Sequence, residues 1–199
     1  MRRSLLPALA AGLILLAAPA AQAATLDVTD VTGDVMTAVL DSSDNVTYHR
    51  EHGAEGDITF ARVQHTATQV VVYLRYTQLS VPRQYGVLDY MVEGSNGRRA
   101  EVDIETRHGD PQGEANVFSD RGRTCALSYR INYAGDSVSM RIPRRCLGKA
   151  KYVRLAHVTA RVMVDQSGDS GTFYYDSPSR DGGTMNQIGK SFTPWVVTD

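Results

Sequence analysis

Beyond residue 23, apolar and polar residues alternate with a period of two along most of the chain. That period places successive side chains on opposite faces of an extended strand, so each alternating run predicts a half-buried β-strand. The runs are Asp57–His65, Gln69–Tyr76, Gln84–Glu93, Arg98–Thr106, Glu114–Phe118, Ala126–Tyr133, Ser137–Ile142, Tyr152–Asp165 and Thr172–Tyr175. Turn-forming residues separate them at Gly94-Ser95-Asn96-Gly97, His108-Gly109-Asp110-Pro111 and Gly135-Asp136. No window of this region has a sustained helical period; the best short candidate is a single turn near Arg144–Gly148. Many short strands with regular turns predict an all-β fold, an antiparallel β-sandwich of jelly-roll or immunoglobulin-like type.

The first 23 residues break this pattern. Arg2 and Arg3 precede an apolar run from Leu5 to Ala18, then Pro19 and the small-x-small triplet Ala21-Gln22-Ala23. This is the layout of a cleavable signal peptide, 1–23, ahead of one secreted domain, 24–199. The apolar run is short for the roughly 30 Å hydrocarbon core that an anchor must cross. Arg2-Arg3 fits an ordinary basic start better than a twin-arginine signal. No cysteine near the cleavage site offers a lipid attachment point, so no stable membrane insertion is expected after cleavage. Losing Arg2 and Arg3 leaves 19 Lys and Arg against 22 Asp and Glu. A mildly acidic chain has no bulk attraction for nucleic acid. A hydrophobic content of 42 % excludes general disorder.

Only Cys125 and Cys146 are present, and in an exported chain they predict one disulfide. A two-residue turn at Gly135-Asp136 pairs Tyr133 with Val138, Ile131 with Met140 and Tyr129 with Ile142. The same register sets Cys125 opposite Cys146, at a non-hydrogen-bonded position where facing side chains come closest. Pro143 loosens the ladder before the cysteines, so the bridge staples the open end of the hairpin. Closing such a loop contributes about 3 kcal/mol.

A second hairpin yields the sharpest site. A three-residue loop, Ser95-Asn96-Gly97, pairs Val92 with Ala100, Tyr90 with Val102 and Leu88 with Ile104 on an apolar face. The opposite face then carries Glu93 against Arg99, Met91 against Glu101, and Asp89 against Asp103. Two directly opposed carboxylates repel unless solvent, a shared proton or a cation relieves them. Calcium is the candidate ion, because it takes several carboxylate oxygens. An acidic solvated face is the plainer reading. A second acidic group, Asp27, Asp30, Asp34, Asp41 and Asp44, is equally generic.

Other motifs are weaker. Gly168-Asp169-Ser170-Gly171 is similar to the nucleophile segment of chymotrypsin-like proteases, with His65 and Asp103 in matching order. Thr172 replaces the final glycine of that segment, so Gln166–Gly171 reads as a polar turn. His49-Arg50-Glu51-His52 offers two imidazoles without a third ligand, in a segment of loop composition. Arg141, Arg144, Arg145, Lys149, Lys151 and Arg154 form a basic run that could meet an anionic polymer or simply face solvent. Tyr174-Tyr175 and Tyr85/Tyr90 are candidates for stacking on a ligand.

Asp30-Val31-Thr32-Gly33-Asp34-Val35, then Gly56-Asp57-Ile58 leading into Val63-Gln64-His65 and Val70–Leu74, resembles the opening of small exported actinobacterial β-sandwich proteins. Ile142-Pro143-Arg144-Arg145-Cys146-Leu147-Gly148 with Tyr152-Val153-Arg154 is similar to their later cysteine hairpin. The resemblance covers most of the mature chain and implies a secreted β-sandwich, but no particular activity.

These observations point to a secreted, non-catalytic binding or surface-interaction module, stabilised by calcium if the Asp89–Asp103 pair holds an ion. Its expected partner is an extracellular glycan or protein. The alternatives are a small secreted hydrolase using Ser170 or paired carboxylates, and a structural component of the cell envelope.

Overall fold

The computed structural model describes residues 23–41, 43, 45–50, 55–120, 125–155, 160–164, 171–178 and 192–198. Residues 1–22, all but the last of the signal peptide expected over 1–23, and Ser170 lie outside them. Within them the alternating pattern forms strands β1 (Ala24–Thr29), β2 (Met36–Leu40), β3 (Val46–Arg50), β4 (Ile58–His65), β5 (Gln69–Tyr76), β6 (Tyr85–Gly94) and β7 (Arg99–Arg107). They continue as β8 (Asp110–Ser119), β9 (Ser128–Asn132), β10 (Ser137–Pro143), β11 (Tyr152–Leu155), β12 (Ala160–Val164), β13 (Gly171–Tyr175) and β14 (Val196–Val197). The only helical pieces among the described residues are single 3-10 turns at Tyr133–Gly135 and Arg144–Leu147. The second of these is the short turn expected near Arg144–Gly148.

The protein is a β-sandwich. Its smaller sheet runs β1-β4-β5-β10-β9, antiparallel throughout. In the larger sheet β8 pairs with β7 and β7 with β6. The other edge of β6 is shared. β11 takes Val92 to Gly94, and β12 takes Tyr85 to Leu88. β14 extends from β11, while β13, β2 and β3 extend from β12. The single run expected over Tyr152–Asp165 is therefore two strands on one edge, whose registers on β6 differ by two residues.

Strict alternation explains the core. Val70, Val72, Leu74 and Tyr76 of β5 face inward, as do Leu88, Tyr90 and Val92 of β6 and Ala100, Val102 and Ile104 of β7. Val138, Met140 and Ile142 of β10 complete the opposing layer. The Tyr90 hydroxyl is buried within this core and meets the Tyr76 hydroxyl at 3.0 Å, so each satisfies the other.

The Ser95-Asn96-Gly97 loop forms as expected. Asp89 faces Asp103, Met91 faces Glu101 and Glu93 faces Arg99. Gly97 has φ +74°, the left-handed conformation such a loop needs. The cysteine hairpin differs. Ile131 pairs with Val138 and Tyr129 with Met140, a two-residue shift from the expected register. The connection is longer because Asn132 accepts the Gly135 N–H at 3.2 Å and caps a 3-10 turn, with Asp136 in the left-handed region. Asp136 is held there by tertiary contacts: its carbonyl accepts Tyr76 N–H and its side chain accepts Leu79 N–H, both at 2.8 Å. An even shift preserves which side chains face the core.

The disulfide joins Cys125 to Cys146 as predicted, with Cα atoms 6.1 Å apart. It does so outside the ladder, which ends at Ser128 and Arg141. Cys146 sits in the 3-10 turn and Cys125 N–H donates to Val117 of β8. The expected four-residue turn at His108–Pro111 is tighter, because Asp110 already pairs with Arg107.

Candidate binding face and cation sites

The outer face of the larger sheet collects the odd-numbered side chains of β6 and β7. Asp89 and Asp103 meet there, and Glu101 joins them: one carboxylate oxygen of each lies within 4.8 Å of the others. In the sequence Glu101 is legible only as the neighbour of Met91. Asp89 is partly buried, and its Oδ1 has no hydrogen-bond partner among the described residues. Burial, then the charges of Asp103 and Glu101, push its pKa up to about 7. Asp103 is also raised, burial first and Glu101 second, while its hydrogen bond with Asp89 opposes the rise. The two carboxyls titrate as a coupled pair, and Asp89 is the more buried of the two.

The same face carries aromatic side chains across β12. Val162 pairs with Val87 and with Phe173, and Phe173 pairs with Ala38, which pairs with Tyr48. Phe173 and Tyr175 stack at 6.3 Å between centroids and 9° between planes. Tyr48, on the edge strand β3, is 52 % exposed. Tyr175 has its pKa raised by burial and by the nearby Tyr48 and Asp89. The acidic group and the aromatic strip are thus neighbours on one surface. Tyr175 and Tyr85 remain partly exposed, as stacking on a ligand would require. Tyr90 does not, because it is enclosed in the core. Tyr174 packs over Gly56 on the inner side, where a Cβ on Gly56 would lie 2.8 Å from Cβ of Tyr174.

A second acidic group lies where the two sheets meet. Asp30 follows β1, Asp34 precedes β2, Asp57 precedes β4 and Asp176 follows β13, and all four are buried. Asp57 accepts Gly33 N–H at 2.8 Å and the Thr77 hydroxyl at 2.6 Å. Asp176 accepts Ile58 N–H at 2.5 Å and Ser177 N–H at 2.6 Å. Burial and the charge of Asp176 push the pKa of Asp30 up to about 9. Burial raises Asp176 to about 7, against the pull of the Ile58 N–H. Only Asp30 and Asp34 belong to the acidic group read from sequence. Asp27 instead pairs with Arg62 at 2.6 Å on an exposed surface, and Asp41 accepts the Ser43 and Asn45 N–H groups. Asp44 lies outside the described residues. Asp57 and Asp176 are far apart in sequence, so only their positions at strand ends hint at them.

The remaining motifs are mostly structural. His65 is fully buried in β4, and its Nδ1 lies 3.3 Å from the Val196 carbonyl. Burial lowers its pKa. A triad histidine turns Nδ1 to a carboxylate; this one faces a backbone oxygen, and Asp103 belongs to the other sheet. His49 lies in the exposed strand β3 rather than the expected loop, and His52 is outside the described residues. In the basic run, Arg144 donates to the Ala150 carbonyl at 3.0 and 3.1 Å, holding its own turn closed. Arg154 donates to Glu93 at 2.6 and 2.9 Å and lies over the rings of Phe192 and Trp195. Arg145 lines a small cleft with Arg98, Arg99, Asp120 and the disulfide.

Fold and surface together define a disulfide-bonded β-sandwich with an acidic-aromatic outer face. No helix among the described residues is long and apolar enough to cross a membrane. Compared with known proteins, the chain matches no family model, and no curated protein or solved structure is significantly similar to it.

Proposed function

We propose that the protein is exported through removal of residues 1–23 and works outside the cell as a non-catalytic binding module for glycans. A disulfide suits an oxidising compartment. The observation that carries the reading is the outer face of the larger sheet, where an aromatic strip of Tyr48, Phe173 and Tyr175 extends across the strands from Asp89, Glu101 and Asp103, with Tyr175 nearest the acids. Aromatic rings stack on the apolar faces of sugar rings, and carboxylates accept hydrogen bonds from sugar hydroxyls. Calcium at Asp89 and Asp103 would neutralise the opposed charges and fix the surface.

The test is a glycan array with the purified protein, repeated with the double variant Tyr48→Ala/Tyr175→Ala. Binding in the parent that the variant loses, with an unchanged melting temperature, supports the reading. Retention of a protein but no glycan from culture supernatant refutes the glycan assignment. The competing hydrolase reading places a proton-sharing pair, Asp89 and Asp103, at the chemistry; it requires turnover that Asp89→Asn abolishes.

A further inference from the structure

We propose that Asp34, Asp57 and Asp176, with Asp30 beside them on the β1–β2 connection, form an interior calcium site that clamps the two sheets together, separate from the outer Asp89–Asp103 face. One oxygen from each of Asp34, Asp57 and Asp176 lies within 4.8 Å of the others. Calcium bonds oxygen at about 2.4 Å, so one ion reaches across twice that distance and touches all three. The hydrogen bonds already made do not exhaust these groups. A carboxylate offers about four lone-pair sites, and the contacts of Asp57 and of Asp176 use two each.

Asp30 supplies an independent sign of a missing partner. It is only 8 % exposed, and its Oδ1 accepts the Val31 N–H at 2.9 Å. Its Oδ2 is buried with no hydrogen-bond partner among the described residues, and Asp30 lies on the same short β1–β2 connection as Asp34. Buried polar atoms are almost always satisfied, and those that are not call for a water or an ion. No basic side chain among the described residues forms an ion pair with Asp30, Asp57 or Asp176. The donors are all oxygen, with no histidine or cysteine, which selects a hard cation over zinc or copper.

The surrounding backbone is shaped for the purpose. Gly33 and Gly56 have φ +82° and +75° and turn the chain on either side of the cluster. Asp30 N–H donates to the Thr59 carbonyl, tying the end of β1 to β4. The bond from Ile58 N–H to Asp176 then ties β4 to the end of β13 in the other sheet. An ion here joins three chain segments, the β1–β2 connection, the start of β4 and the end of β13, which border strands of both sheets.

The experiment measures melting temperature and terbium luminescence on the purified protein, after EDTA treatment and with added calcium, magnesium or terbium. It uses the parent, Asp89→Asn/Asp103→Asn, Asp30→Asn and Asp57→Asn. Calcium should raise the melting temperature of both the parent and the outer-face variant, any further gain in the parent belonging to the outer pair. Both should sensitise terbium, with calcium displacing it. Asp30→Asn, which keeps the acceptor for Val31 N–H, should fold and bind calcium at least tenfold more weakly; Asp57→Asn should lose the response. The proposal is overturned if calcium neither stabilises the outer-face variant nor displaces terbium from it. It is equally overturned if Asp30→Asn responds like the parent, or if magnesium serves and calcium does not. Loss of glycan binding without loss of this response would count against the outer face alone.

Discussion

Asp89→Asn should stabilise the protein at alkaline pH in the absence of divalent cations. An asparagine has the shape of the protonated aspartate, and its amide can donate to Asp103 as the shared proton does. In the parent, the pKa of Asp89 rises from 3.8 to about 7 on folding. Each pKa unit is worth about 1.4 kcal/mol, which makes the full penalty for ionising Asp89 in the fold about 4 kcal/mol. Partial exposure and solvent relaxation reduce this to about 2 kcal/mol. Because the folded pKa is above the unfolded one, the favourable contribution is complete below about pH 4 and is lost as pH rises through about 7. At pH 8 in EDTA, Asp89→Asn should therefore melt about 4–8 °C higher than the parent, and the two should converge near pH 4. Thermal melts followed by circular dichroism across that range measure the difference. Saturating calcium should reverse the order at pH 8, if the ion binds the ionised pair. A variant that melts lower than the parent at pH 8 in EDTA would refute the account of strained, facing carboxylates. A calcium titration that moves neither melting temperature more in the parent than in the variant would refute calcium at this pair.

Further outcomes follow from the packing. Replacing Cys125 and Cys146 with serine should cost about 3 kcal/mol through loop entropy, and lower the melting temperature by about 6–12 °C. Arg154→Ala strips Glu93 of its closest cation and frees the rings of Phe192 and Trp195; a loss of about 3 kcal/mol and faster proteolysis after Phe192 are expected, read by limited digestion and mass spectrometry. Tyr90→Phe removes the buried hydroxyl–hydroxyl bond between Tyr90 and Tyr76 and should cost about 1 kcal/mol in urea unfolding. Gly113→Ala places a Cβ 1.8 Å from the Glu105 carbonyl at φ +65°, so it should destabilise by more than about 2 kcal/mol or displace the start of β8, visible as lost amide protection there.

Strand identity and face are legible in the sequence because the period of two survives in any register. Thus alternation alone marks Leu88, Tyr90 and Val92 as core and Asp89 as outer face. Strands β2, β3 and β14 are not legible in this way, because they are brief and their apolar and polar residues show no sustained alternation. β1 does alternate strictly, Ala24, Leu26 and Val28 lying on its half-buried face, so the same rule marks it although it stands outside the expected runs. The turn at Gly135-Asp136 departs from its local expectation for a different reason: Asp136 is anchored by Tyr76 and Leu79, residues that no local pattern connects to it.

The two acidic groups mark the same boundary. Asp89 and Asp103 are joined by one three-residue loop, so local turn geometry is enough to set them face to face. Asp30, Asp34, Asp57 and Asp176 belong to four strand ends distributed over both sheets. The amino-acid pattern alone determined an all-β chain, the Asp89–Asp103 hairpin in its register and the cysteine pair. Which strands share the edge of β6, where the aromatic strip falls and which aspartates meet were decided by sheet packing. Contacts between residues distant in sequence depend on how the layers stack, and alternation within a strand carries no information about that.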